Sequence, residues 1–166
     1  MTTAQARAIR AAIYCRISDA DDPHGVKGQE KDCRAVCADH GWPVADVYVD
    51  DDVSASGDAS RKPRPEYDRM LRDIRRGAIN LIVTTEPERL TRRPPETEAF
   101  IAMAEQVGFT DIFFESEDSG LSMSDGGGLH RMRQYSNDGA RESWKTHRGV
   151  GELIEKPSLA GRASGS

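Results

Sequence analysis

The chain alternates short apolar runs with longer amphipathic segments. Arg10-Ala11-Ala12-Ile13-Tyr14-Cys15 is apolar and bounded by charge, which predicts a buried strand. A polar loop from Asp19 to Gly28 follows, with Pro23 and Gly25 inside it. From about Gln29 to His40 the period turns helical, and Gly41 stands where a helix C-cap belongs. Val44 to Val49 reads as a second strand, and 50–62, rich in Asp, Ser, Ala and Gly, as a long irregular loop. Arg64-Pro65-Glu66-Tyr67 opens another helix with an apolar face of Tyr67, Met70, Leu71 and Ile74, and Gly77 ends it. Ile79 to Thr85 is apolar enough for a central strand. Glu86 to Arg93 is a charged loop. Pro94-Pro95 then starts a helix carrying Phe100, Met103, Ala104 and Val107, which Gly108 closes. Asp111 to Glu115 is a fourth, short strand.

Past Glu115 the pattern weakens. Ser119-Gly120 and Asp125-Gly126-Gly127-Gly128 punctuate a polar link. Leu129 to about Arg148 reads as a further helix anchored by Leu129, Met132 and Trp144, with Gly139 counting against it. Gly149 to Ser166 has little to bury and reads as a disordered tail. The domain reading is therefore 8–118 as one unit, 119–148 as linker and partial long helix, and 149–166 as tail.

Strands and helices alternating at this spacing imply βαβ units and a largely parallel sheet with helices on its faces. In such sheets functional residues gather in loops after the strands' C-terminal ends. Ser18, Ser54, Glu88 and Arg89 all fall in those loops. The strand period of two also puts Tyr14, Arg16 and Ser18 on one side of the chain.

Composition narrows the classes. A chain of 166 residues suits one domain with a real core. Its 37% apolar and 31% charged content is that of a polar, water-soluble chain without a membrane-length run. Met1 to Gln5 lacks a secretory pattern, so a cytoplasmic location is expected. Three cysteines, an odd number, fit a reducing compartment. Cys33, Cys37 and His40 would share a helical face, but no fourth ligand is evident. Cys33 and Cys37 read instead as an apolar stripe with Val26 and Val36, and no metal is expected. The formal net charge of −5 argues against the chain as a stand-alone nucleic-acid binder. Base is nevertheless concentrated at Arg61-Lys62-Pro63-Arg64, along 69–76, and at Arg89, Arg92 and Arg93, while acid gathers at 19–22 and 50–52.

A nucleophilic serine ordinarily needs an activating base. None of His24, His40, His130 and His147 sits in a triad context, and no Gly-x-Ser-x-Gly elbow surrounds Ser18. Gly25-Val26-Lys27-Gly28 lacks the Gly-Lys-Ser/Thr ending of a nucleotide phosphate loop. Arginines suit phosphoryl chemistry better, because guanidinium groups match the charge that develops on non-bridging oxygens. Each preorganised donor of that kind is worth on the order of 3 kcal/mol of barrier. Arg16, Arg64, Arg89 and Arg92 would supply several.

Four ordered motifs then carry a resemblance. Tyr14-Cys15-Arg16-Ile17-Ser18 resembles the Tyr-x-Arg-x-Ser motif of the serine recombinases, the family of resolvases, invertases and large phage integrases. Asp51-Asp52-Val53-Ser54-Ala55-Ser56 is similar to that family's second-strand loop. Arg64-Pro65-Glu66-Tyr67 with Leu71, Asp73 and Gly77 resembles its next helix, and Glu88-Arg89-Leu90-Thr91-Arg92 its Asp-Arg-Leu-x-Arg motif. The likeness runs from about residue 9 to 115 and is strongest to the large serine integrases of actinobacteria and their phages.

The resemblance implies a resolvase-like α/β domain: a largely parallel sheet of four or five strands, helices on both faces, and a C-terminal helix. It implies site-specific DNA recombination, with Ser18 attacking a DNA phosphodiester to give a 5′-phosphoserine and a free 3′-hydroxyl. Arg16, Arg64, Arg89 and Arg92 would bind the scissile phosphate. Glu88 would stand for the family's aspartate, and Tyr14, Gln29 and Ser54 would support the site. No metal or nucleotide cofactor is implied. The partners implied are an attachment-site DNA duplex and further copies of the chain, as dimer and synaptic tetramer, with no membrane.

Two departures stand out. Glu88 is one methylene longer than an aspartate, and small displacements in such a site are costly. The family's long helix is only partly matched by 129–148, and 149–166 matches nothing that should follow it. The expectation is an isolated or truncated catalytic domain without DNA-binding modules. The alternative is a catalytically inactive remnant acting through dimerisation alone, and a flavodoxin-like binding module is the third reading.

Overall fold

The first four strands carry β-branched or aromatic residues at their centres, and the longer helices each present one largely apolar stripe to them. The computed structural model describes residues 8–17, 25–51, 63–91 and 93–137. Along it run β1 (Ala11–Ile17), α1 (Val26–His40), β2 (Val44–Asp51), α2 (Pro65–Arg75), β3 (Leu81–Thr84), α3 (Pro87–Leu90), α4 (Pro94–Val107), β4 (Asp111–Phe114) and β5 (Ser119–Ser122). A final helix, α5, occupies 126–137. The strands form one sheet in the order β2-β1-β3-β4-β5. The first four are parallel, and β5 pairs antiparallel with β4.

The two-residue period of β1 divides the core. Ala12 and Tyr14 face a layer built from α2, α4 and α5, where Tyr67, Met70, Ile74, Phe100, Ile101 and Met132 are buried. Ala11, Ile13 and Cys15 face α1, whose buried stripe is Gln29, Cys33 and Cys37. Helices thus cover both sheet faces, as the alternation of elements implied. Cys33 and Cys37 lie in this core, while the His40 ring stacks on Trp42 at 4.2 Å between centroids. Gly41 and Gly108 close α1 and α4 in the left-handed conformation, with φ of 71° and 76°.

Several boundaries differ from the sequence reading. The first strand runs on to Ile17, two residues past the apolar run that ends at Cys15, and so includes Arg16. Helix α1 begins at Val26, three residues early, with Gly28 inside its first turn. The charged loop 86–93 contains a one-turn helix, α3. Val107 ends α4 exposed rather than in its apolar face. The polar link after Glu115 supplies the edge strand β5, whose single large apolar residue, Leu121, was too weak a signal. Helix α5 begins at 126 because the Asp125 side chain caps it, accepting the Gly128 N–H at 2.7 Å. Gly128 is required there: a Cβ would stand 1.6 Å from the Ser122 carbonyl oxygen. Residues 52–62, most of the segment expected to be an irregular loop, and the chain beyond 137, with the rest of the expected helix and the tail, lie outside the described residues.

The order β2-β1-β3 reverses direction between β1 and β3, which makes a crevice at their C-terminal ends. Backbone pairing between these two strands stops at Ile13–Val83. From there the strands part, and side chains take over the bonding.

Candidate active site

Where the β1–β3 ladder ends, the freed backbone groups of β1 must find other partners. Thr84 Oγ donates to the Tyr14 carbonyl at 2.9 Å. Gln29, fully buried on α1, accepts the Arg16 N–H at 3.1 Å and donates to the Arg16 carbonyl at 3.0 Å. Its amide thereby imitates a neighbouring strand. The last residues of β1 are held straight at the point where Ser18 follows in the sequence.

Three arginines meet at this end of the sheet. Arg16 is 7% exposed, and its guanidinium donates to the Glu88 carbonyl at 2.7 Å and to the Arg89 carbonyl at 3.3 Å. Arg89 returns the contact, donating from Nη1 to the Arg16 carbonyl at 3.0 Å and from Nε to Glu86 at 2.8 Å. Arg64 reaches the same turn from the start of α2, donating to the carbonyls of Arg89 and Leu90 at 3.0 and 2.9 Å. The physical reason is the shortness of α3. A single turn leaves its last carbonyls without intrahelical partners, and cations are favoured there. Arg16 and Arg64 share one acceptor, the Arg89 oxygen, so two positive charges are held close together.

The Arg64 guanidinium lies over the Tyr67 ring, 3.8 Å from Cζ to centroid, and its Nε donates to the Tyr14 hydroxyl at 3.1 Å. Tyr14 passes the chain on, donating to Asp50 at 2.7 Å. Burial disfavours the Arg64 charge, but Tyr14, Glu96 and Tyr67 around it outweigh that and raise its pKa above the usual value. Burial, aided by Asp50 and opposed by Arg64, likewise pushes the Tyr14 phenol up, so it stays protonated.

Asp50 was hidden in the run 50–52, which reads from sequence as surface acid. It is 5% exposed and accepts three hydrogen bonds: from Tyr14, from the Glu66 N–H at 3.0 Å and from the Tyr67 N–H at 3.0 Å. Helix α2 has Arg64 at its N-cap and Pro65 next, so its own sequence supplies no cap. The carboxylate of Asp50, projecting from β2, supplies it. A usable signal did exist: Asp50 shares the strand phase of the inward-facing Tyr48, and a helix opening on Arg-Pro needs an external acceptor.

Of the residues expected in the site, Tyr14, Arg16, Gln29, Arg64 and Arg89 are brought together. Glu88 is exposed, and it reaches Arg16 through its backbone carbonyl. The carboxylate bonded to Arg89 is that of Glu86. Ser18, Ser54 and Arg92 lie outside the described residues. Among the described residues no group of three or more His, Cys, Asp or Glu side chains could hold a metal ion, and no helix is long and apolar enough to cross a membrane.

A parallel α/β sheet with an arginine-lined crevice at its reversal point defines an anion-handling domain of the doubly wound class. Residues 11–142 match the profile of the resolvase N-terminal domain, and the chain belongs to that family: it is a serine recombinase catalytic domain. The fold is similar to the N-terminal catalytic domain of TP901-1 integrase, at 21% identity and a TM-score of 0.57 over 82% of this chain and 98% of that one. It is also similar to a resolvase family site-specific recombinase from Streptococcus pneumoniae, at 16% identity and a TM-score of 0.60 over 88% and 97%. The C-terminal catalytic domain of IS1535 TnpA, an IS607-like serine recombinase, aligns at 22% identity and a TM-score of 0.51 over 87% and 99%. No curated protein matches the sequence.

Proposed function

We propose that this domain performs site-specific DNA recombination by cutting and rejoining strands through Ser18. The Ser18 oxygen attacks the scissile phosphorus, the P–O3′ bond breaks, and the departing 3′-oxygen takes up a proton. The product is a 5′-phosphoserine and a free 3′-hydroxyl. Because one phosphodiester is exchanged for another of similar energy, rejoining needs no nucleotide. Arg16, Arg64, Arg89 and Arg92 bind the non-bridging oxygens and stabilise the charge that grows on them. Tyr14, Gln29 and Ser54 support these groups, and Glu88 stands at the rim. The partners are an attachment-site duplex and further copies of the chain in dimers and a synaptic tetramer, in the cytoplasm.

The observation that carries this reading is the meeting of Arg16, which stands two residues before Ser18 in sequence, with Arg64 and Arg89 at one turn of backbone. The acidic net charge of −5 supports weak intrinsic DNA affinity, so target choice would come from elsewhere. The test is capture of covalent protein–DNA complexes after incubating the full chain with sheared genomic DNA of the source organism. Wild-type protein at high concentration is expected to yield SDS-stable adducts, and Ser18→Ala none. Absence of adducts from the wild type, or their persistence in Ser18→Ala, contradicts the proposal. The exposed Glu88 carboxylate favours the second reading, a remnant that acts through self-association. Grafting residues 1–118 onto the DNA-binding modules of an active relative separates the two, since only a competent domain restores recombination.

A further inference from the structure

The recombinase reading gives Arg64 a phosphate to bind but does not say what aims it. A guanidinium has five N–H donors in one plane. Among the described residues, Arg64 spends its Nε on Tyr14 and its Nη2 on the Arg89 and Leu90 carbonyls, at 3.1, 3.0 and 2.9 Å. Its Nη1 is held by the Glu96 carboxylate. Four bonds leave one N–H, and it sits on the nitrogen that Glu96 holds. The Tyr67 ring blocks one face of the guanidinium, and its buried hydroxyl has no hydrogen-bond partner among the described residues. Tyr67 therefore contributes a surface and no directing bond.

We propose that Glu96 is the positioning residue of Arg64, fixing the direction of the one N–H that Arg64 can offer to the scissile phosphate. Three features single it out. Among the described residues, Glu96 is the one acid bonded to Arg64; the other partners are two carbonyls and a phenol. The Arg64 side chain is 13% exposed and that of Glu96 30%, so the pair keeps some access to solvent and hence to an incoming phosphate. Glu96 is also the third residue of α4, where the helix dipole favours a carboxylate. The remaining contacts of Arg64 come from β1 and α3. Glu96 thus adds the α4 scaffold to the frame that holds the guanidinium, and α4 is itself tied to α5 by the Glu98–Arg133 ion pair.

This inference rests on the recombinase reading, and its test separates the two. Wild-type, Glu96→Gln, Glu96→Ala, Arg64→Ala and the double variant Arg64→Ala/Glu96→Ala are compared for adduct rate and for DNA occupancy. The amide of Glu96→Gln still accepts the Nη1 bond, so its adduct rate is expected within about fivefold of wild type. Glu96→Ala removes the one anchor on the Nη1 that would face the phosphate and is expected to lose about 100-fold, the scale of a small misplacement in an active site. DNA occupancy of the Glu96→Gln and Glu96→Ala proteins is expected to stay within about twofold of wild type, because Glu96 acts on the orientation of Arg64 and not on DNA itself. In the Arg64→Ala background, Glu96→Ala is expected to cost nothing further, the signature of a residue acting through Arg64. An equal penalty in both backgrounds overturns the proposal, and so does a faster reaction in Glu96→Ala, which would make Glu96 a competitor of phosphate.

A second readout does not depend on cleavage. Nitrogen-15 NMR should show slowed rotation of the Arg64 Nη1 group in wild type and Glu96→Gln and fast rotation in Glu96→Ala, with Nη2, held by the Arg89 and Leu90 carbonyls, slow in all three. Unchanged Nη1 rotation in Glu96→Ala overturns the proposal. Wild-type protein that shows the slow Arg64 signals but forms no adduct overturns the recombinase reading and leaves the Glu96–Arg64 geometry supported.

Discussion

Replacing Asp50 should damage fold and site together, because one carboxylate serves both. In the wild type it accepts the N–H groups of Glu66 and Tyr67 and the hydroxyl of Tyr14, at 3.0, 3.0 and 2.7 Å, while 5% exposed. In Asp50→Ala all three donors lose their acceptor. Hydrogen bonds to a charged group are worth about 1.5–3 kcal/mol each, and abandoned buried donors cost about 1–3 kcal/mol. Local relaxation and water entry recover part of the sum, which leaves an expected loss of about 3–5 kcal/mol. Asp50→Asn keeps the volume and one oxygen. That oxygen can serve Tyr67 and Tyr14, while the amide NH2 faces the Glu66 N–H, so the expected loss is about 1–2 kcal/mol. Against a domain stability of about 5–15 kcal/mol, the alanine variant should be marginal and the asparagine variant folded. Urea unfolding followed by far-ultraviolet circular dichroism measures both. Adduct formation by the folded Asp50→Asn protein should drop about tenfold, since a neutral amide holds Tyr14, and Arg64 through it, less firmly than the carboxylate does. A loss below about 0.5 kcal/mol for Asp50→Ala, the level of an ordinary surface change, would refute the reasoning.

Three further outcomes follow from the same geometry. Gln29→Glu keeps the acceptor for the Arg16 N–H but turns a carboxylate oxygen toward the Arg16 carbonyl. It should cost about 2–4 kcal/mol in urea unfolding, more than Gln29→Met, which buries no charge. Burial raises the pKa of Cys15, to about 12, and those of Cys33 and Cys37, so the folded thiols stay protonated where unfolded ones ionise. Stability should hold below about pH 8.5 and fall as pH rises above it, and a thiol reagent at pH 8 should label none of the three before unfolding. A flat urea midpoint between pH 7 and 10.5, or rapid labelling of the native protein, would contradict this. Gly128→Ala should detach the start of α5 from β5 at a cost of about 1–3 kcal/mol, read as early loss of hydrogen-exchange protection over 126–137.

The sheet was legible because its central strands are continuous apolar runs and its long helices end on glycines. Ile79 to Val83 and Gly108 needed no tertiary context to be recognised. The fifth strand was not legible, since Ser119-Gly120-Leu121-Ser122 is bound by pairing to β4 and by one buried leucine. The site was half legible. Arg16, Arg64 and Arg89 stand in motifs, so their meeting could be expected from the family pattern together with the parallel topology. The carboxylates that hold the frame were harder to read: Glu96 lies in an ordinary first helical turn, and Asp50 in an acidic run where only its strand phase and the uncapped Arg-Pro helix start mark it. Each takes its role from an arginine or a helix end distant in sequence, 32 residues away for Glu96. Likewise, Gln29 looks like any polar residue at a helix start until the strand it caps is in place.

The central claim is that Ser18 becomes covalently joined to DNA. The most direct measurement is mass spectrometry of trapped adducts after nuclease and trypsin digestion. Cleavage after Arg16 and Lys27 releases a peptide from Ile17 to Lys27 in which Ser18 is the sole hydroxyl-bearing residue. A nucleotide-phosphate mass on that peptide, with the matching DNA end carrying a free 3′-hydroxyl, is the predicted result. A modification on any other peptide, or a 3′-phosphate left on the cut DNA, would contradict the account.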